Sequence, residues 1–124
     1  MIEKVIAVAV GGGAGAVLRY LTYLYFDKGH DHYFPWATLA VNLIGSFLIG
    51  FLWGLFDKMY VSPGIRLFIF VGLLGSFTTF STFAFDIFNM GKNGSVFQGL
   101  AYLIGTNVIG ISLAAGGYYI SKLM

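Results

Sequence analysis

The stretch at residues 75–83, GSFTTFSTF, decides the architecture; it lies between the apolar runs IRLFIFVGLL (65–74) and AFDIF (84–88). Five hydroxyl residues, Ser76, Thr78, Thr79, Ser81 and Thr82, are interleaved there with Phe77, Phe80 and Phe83. A helix surrounded by hydrocarbon would carry Leu, Ile and Val on every side. Gly72, Gly75 and the Ser76–Thr79 run propagate a helix poorly, because Ser and Thr side chains compete for backbone groups. The sequence therefore predicts a broken helix at membrane depth, which is tolerated only where it is buried in protein or lines a wet cavity. A break frees carbonyls at the end of the first half-helix and amides at the start of the second. Such ends suit cations and anions respectively.

Composition places that depth in a bilayer. Of 124 residues, 58% are hydrophobic and 10% charged, where soluble domains carry about 25% charged residues. Cysteine is absent, which excludes a disulfide framework, a thiolate metal site and a thiol nucleophile. The net charge of +2 is too small and too scattered for a nucleic-acid partner. Four apolar spans, at about residues 5–26, 36–56, 65–90 and 97–120, are each long enough to cross a hydrocarbon core of ~30 Å. The first span is too long for a cleaved signal peptide and contains Arg19. The expected fold is an all-α membrane protein: one four-helix transmembrane domain over residues 1–124, with its third helix broken.

The charges give little instruction about orientation. Lys4, Lys58, Arg66 and Lys122 fall on one side, against Arg19, Lys28 and Lys92 on the other. Lys/Arg asymmetry normally sets topology. Either the chain inserts one way on a weak signal, or both orientations coexist and pair as an antiparallel, dual-topology homodimer with two-fold symmetry.

The helix faces carry further polar groups. Thr38, Asn42, Ser46, Gly50 and Gly54 recur every four residues in the second span, and Tyr102, Thr106, Gly110, Ala114 and Tyr118 in the fourth. Together with Gly11, Gly12, Gly13, Gly15 and Ala16 of the first, these ridges of small residues let helices approach closely in lipid. Asn42 reads either as an interhelical hydrogen bond or as a pore-lining amide. Phe80 and Phe83, at i and i+3, are either core aromatics or rings that offer their electropositive edges to an anion. Arg19 and Asp86 are the charges lying well inside spans, and intramembrane ionisable groups are functional candidates. They pair with each other, or Arg19 attracts an anion at a vestibule and Asp86 is a solvated helix-end carboxylate. His30 and His32 share a loop without further ligands, so no metal site is expected there, and no enzyme active site is visible.

Three segments, GGGAGAVLRY (11–20), TLAVNLIGSFLIG (38–50) and GSFTTFSTF (75–83), together resemble the small bacterial fluoride channel family called Fluc or CrcB. The third segment is the most specific and the fourth helix the least diagnostic. The resemblance implies a dual-topology homodimer in the bacterial inner membrane, with two antiparallel pores that pass fluoride passively, exclude chloride and export cytoplasmic fluoride. It implies that Asn42 is the pore asparagine, that Phe80 and Phe83 are ring-edge ligands, and that Thr38, Ser81 and Thr82 are hydroxyl donors along the path. Arg19 matches the arginine of the first helix. Gly75 and Thr78 match positions whose backbone carbonyls, two from each subunit, hold a structural sodium ion on the two-fold axis. Tyr102 and Thr106, with Ser112, stand for the family's polar track on the fourth helix. No organic cofactor is implied.

The chemistry of fluoride suits these residue types. The ion is small and tightly hydrated, so its pathway must replace water with hydrogen-bond donors, yet bind weakly enough to release it. Neutral hydroxyls, an amide and ring edges meet both requirements. The rival reading is a dual-topology, proton-coupled small multidrug exporter, which needs a membrane-embedded acid, usually in the first span. This chain has none there, and Asp86 lies near a helix end. A scaffold without transport is the third reading.

Overall fold

The computed structural model describes residues 1–27 and 34–124. Lys28, His30 and His32 lie outside the described residues. Helix α1 is Ile2–Asp27 and α2 is Trp36–Phe56. The third span divides into α3, at 63–77, and α4, Phe80–Lys92; α5 is Val96–Lys122. Four helical spans, Ile2–Phe26, Trp36–Phe56, Pro63–Lys92 and Val96–Lys122, are long and apolar enough to cross a membrane. Their ends lie a few residues outside the expected limits in three of the four, because helical hydrogen bonding continues past the last apolar residue.

The third span is broken where its composition predicts. α3 opens with Ser62 as N-cap, its Oγ accepting the Ile65 amide at 3.4 Å, and with Pro63 in the first turn. Residues Leu67–Leu74 wind as a wider π-helix, and one α turn, Gly75–Phe77, follows. Thr78 and Thr79 are extended (φ −84°, ψ 160° and φ −149°, ψ 124°). Thr79 then caps α4, its hydroxyl accepting the Thr82 amide at 3.3 Å.

Glycines set the two closest helix pairings. Gly11 and Gly72 bring the backbones of α1 and α3 together: a Cβ on Gly72 would sit 2.8 Å from the Val8 carbonyl oxygen and 2.9 Å from Gly11 Cα. Ser76 fastens this crossing, donating within reach of the Gly12 and Gly72 carbonyls at 2.8 and 2.7 Å. α2 and α5 pair through Gly50, Gly54 and Gly117; a Cβ on Gly117 would lie 2.5 Å from the Phe47 carbonyl oxygen. Close backbone approach is what small residues provide in lipid, where packing replaces the hydrophobic effect.

Cations finish the ends of these helices. Lys58 donates to the carbonyls of Ser121 and Met124 at 2.5 and 2.6 Å, and Arg66 to that of Phe56 at 3.0 Å. Lys122 pairs with Asp57 at 3.2 Å, which puts the second loop and the end of α5 at one end of the bundle, as an even number of crossings requires. Positive charge at helix C-termini complements the helix dipole. Of the most apolar eighteen residues of each span, 11 to 22% are buried within the chain. The remaining surface is apolar and suited to lipid or to another protein surface.

Candidate functional site

The break places the polar residues in two neighbouring groups. The first is an open groove of about 360 Å³ between α2, the broken third span and α5. Asn42 and Ser46 line it from α2, Thr78 and Thr79 from the break, Phe80 and Phe83 from α4, and Thr106 and Asn107 from α5. Gly75 borders it as well. The second group gathers Tyr23, Thr38, Asp86 and Tyr102. Tyr23 and Thr38 share a hydrogen bond of 2.7 Å, and the Tyr102 hydroxyl donates to Asp86 Oδ2 at 3.2 Å.

Asn42 makes the interhelical hydrogen bonds that its sequence context allowed. Its Oδ1 accepts the Thr79 amide at 2.9 Å and its Nδ2 donates to the Thr79 carbonyl at 3.0 Å. This pair of bonds satisfies the peptide unit that the break strands. The same side chain borders the groove. It also determines what happens one turn earlier. In a continuous helix the Thr79 amide would go to the Gly75 carbonyl; given instead to Asn42, it leaves that carbonyl without its α-helical donor.

The two phenylalanines differ in environment. Phe83 is 6% exposed and packs edge-on against Tyr102, with ring centroids 5.0 Å apart at 65°. Since it also lines the groove, it forms the wall between the groove and the hydroxyl–carboxylate cluster. Phe80 is 78% exposed, and its centroid is 6.1 Å from that of Phe83. A ring held out in this way offers its edge beyond its own chain.

Among the hydroxyls, geometry separates those already satisfied from those left open. Thr106 Oγ1 is buried and has no hydrogen-bond partner among the described residues. Ser112, by contrast, is exposed and donates to the Val108 carbonyl at 2.7 Å, away from the groove. Ser81 is exposed and lies 3.4 Å from the Thr79 hydroxyl, while Thr82 contributes its amide to the α4 cap. Neither borders the groove described above. Thr38 and Tyr102 are each 2% exposed and belong to the second group.

Arg19 and Asp86 are not paired with each other among the described residues. Arg19 Nε donates to the Ser76 carbonyl at 3.0 Å, at the end of the first half-helix, whereas Asp86 is engaged by Tyr102. The break thus draws the arginine to a carbonyl that it has itself uncovered.

Sequence reasoning did not single out Tyr23 or Asn107. Tyr23 lies on the first span beyond its glycine ridge and Arg19, with only its phenol to mark it. Asn107 donates to Leu103 at 2.7 Å and still borders the groove, because a wide groove accepts neighbouring residues about 100° apart on one helix.

Four apolar crossings, a helix interrupted inside the membrane and, at the interruption, a groove lined by uncharged residues that include an amide and several hydroxyls define a multi-pass α-helical membrane protein of the transport class. Residues 6–118 match the family model described as CrcB-like protein, Camphor Resistance (CrcB). The fluoride-specific ion channel FluC of Desulfotalea psychrophila is 42% identical over 117 residues, covering 94% of this chain and 91% of its own. That of Aquifex aeolicus is 42% identical over 119 residues, covering 95% and 96%, and that of Nitrobacter winogradskyi 40% over 121, covering 97% and 96%. The chain belongs to the CrcB/FluC family, a family of fluoride channels and not of enzymes.

Proposed function

We propose that the chain is a fluoride-selective passive channel that exports cytoplasmic fluoride across a bacterial plasma membrane. Two subunits of opposite orientation form the homodimer, with two antiparallel pores and a structural sodium ion at the centre. The observation that carries the selective step is Thr106 Oγ1, a buried hydroxyl without a partner among the described residues, in a groove that also presents Asn42, Phe80 and Phe83. An unmade hydrogen bond in a buried site is unfavourable, and a small anion that accepts from this hydroxyl removes the penalty.

The path uses neutral donors. Arg19, at the end of the first half-helix, attracts the anion, and Thr38, Tyr102, Ser81 and Thr82 offer hydroxyls around the approach. Phe83 stands between that approach and the groove, and its positive ring edge and that of Phe80 replace part of the hydration shell. Asn42 and Thr106 supply hydrogen-bond donors beyond, and Ser112 belongs to the same helix farther along. Neutral groups hold the ion weakly enough for it to leave. The 78% exposure of Phe80 supports a pore that takes rings from both subunits.

The sodium ion fits the chemistry of the break. Carbonyl oxygens of unwound backbone suit a hard monovalent cation, and Asn42 withholds from Gly75 the amide that would otherwise occupy its carbonyl. The Gly75 and Thr78 carbonyls, two from each subunit, would hold the ion, which fixes the two breaks against each other. The near balance of Lys and Arg on the two sides supports dual topology.

The rival reading, a proton-coupled exporter of organic cations, is favoured by one feature, the half-buried Asp86 carboxylate beside Tyr102. Both readings are tested with purified protein in fluoride-loaded liposomes, with a potassium ionophore to open the charge path. Fluoride efflux that stalls without the ionophore, with no chloride efflux in a matched batch, is the expected result. Silence for both ions, together with pH-driven uptake of an organic cation that disappears in Asp86→Asn, would instead establish the exporter.

A further inference from the structure

Several of the intramembrane hydroxyls in this protein are consumed by their own helix. Thr22, Thr78 and Ser112 each donate to the carbonyl four residues back, at 2.9, 3.0 and 2.7 Å. Ser46 forms no hydrogen bond among the described residues, and it borders the groove one turn beyond Asn42. Opposite it on α5, Thr106 and Gly110 are also one turn apart and also border the groove. Gly110 has no side chain, and the position its Cβ would take lies 3.5 Å from Ser46 Oγ. The Ser46 hydroxyl therefore stands over the hollow that Gly110 leaves.

We infer that Ser46 is a further anion-binding hydroxyl of the groove, supplied by α2 where Gly110 leaves α5 without a side chain. The inference rests on the channel reading and adds a donor to it. Asn42, Thr106 and Ser46 then form a short series of uncharged donors along the two facing helices. Asn42 and Ser46 are separated by roughly 6 Å of helix rise, a step over which an anion exchanges one donor for the next. Ser46 keeps its proton for the ion because no carbonyl among the described residues takes it. The glycine opposite leaves space for an ion where a second side chain would narrow the passage.

The test uses the dimer reconstituted in liposomes, with a fluoride electrode following efflux. Ser46→Ala should slow fluoride efflux about tenfold, the effect of losing one hydrogen bond of ordinary strength. Ser46→Ala combined with Gly110→Ser should recover most of the rate, since the second substitution returns a hydroxyl to the same space from the opposite wall. Ser46→Cys, similar in size but a weak donor, should resemble Ser46→Ala and keeps the test informative if alanine disturbs assembly. Wild-type rates in Ser46→Ala or Ser46→Cys would overturn the inference. So would a slowed Ser46→Ala that the added Gly110→Ser leaves unrecovered in a folded dimer, since that marks a packing role. A wild-type protein that moves no fluoride refutes the channel reading itself, which this comparison distinguishes from failure at Ser46.

Discussion

The side chain of Asn42 and the peptide unit of Thr79 are joined by two hydrogen bonds, of 2.9 and 3.0 Å, running in opposite directions. One amide thereby closes the gap between the half-helices and stands at the groove. Asn42→Asp keeps the acceptor for the Thr79 amide, loses the donor to its carbonyl and places a negative charge on the path. Fluoride efflux should fall by about a hundredfold or more, since repulsion adds to the lost bond. Efflux at the wild-type rate would reduce Asn42 to interhelical packing.

Phe80→Ile and Phe83→Ile remove a ring edge and keep most of the bulk. Both should lower fluoride throughput about tenfold or more, the effect of losing an interaction of ~1.4 kcal/mol or more in the transition state for passage. Phe80→Ile should leave thermal stability of the subunit nearly unchanged, because that ring is 78% exposed. Phe83→Ile loses the edge contact with Tyr102 as well and should lower the melting temperature. Undiminished flux in both variants counts against the ring-edge role.

Gly117 and Gly116 provide a matched pair for helix packing. A methyl on Gly117 meets the backbone of α2 at 2.5 and 2.9 Å, whereas one on Gly116 meets nothing within 4 Å. Gly117→Ala should destabilise the bundle by about 1–3 kcal/mol, the usual effect of overpacking, and Gly116→Ala should be neutral in a thermal unfolding assay in detergent. Equal melting temperatures would mean that α2 and α5 separate at little cost.

Replacement of sodium by a large organic cation throughout purification should loosen the dimer and slow fluoride efflux, and added sodium should restore both. The readout is gel filtration alongside the electrode trace. Full activity and an intact dimer without sodium would leave the Gly75 and Thr78 carbonyls as an ordinary helix end.

Tags on the termini test the orientation. In intact cells, protease or impermeant label should reach about half of the copies, as expected when Lys and Arg give no net instruction. Labelling of all copies, or of none, would establish a single topology.

Much of the fold was legible in the residues. Apolar length marked the four spans, and the Gly75–Thr79 run marked the break, since each of those residues weakens a helix by a local mechanism. The π-helical winding of Leu67–Leu74 was not legible. LFIFVGLL carries no local signal for it, and the segment lies against the glycine face of α1, so its winding depends on a partner distant in sequence. The pairing of Arg19 with Asp86 was one of two sequence readings. The break instead gives Arg19 a partner that neither reading named, the Ser76 carbonyl.

By itself the sequence determined the solvent, the number of crossings and the place of interruption, because apolar run length and backbone propensity act over neighbouring residues. Tertiary structure decided which polar groups remain available. Ser112 and Thr78 spend their hydroxyls on their own helices, Asn42 is divided between Thr79 and the groove, and Thr106 is left unpaired among the described residues. Whether a hydroxyl is satisfied depends on what the facing helix brings within about 3 Å, and that distance follows from how closely the glycine ridges allow the helices to approach.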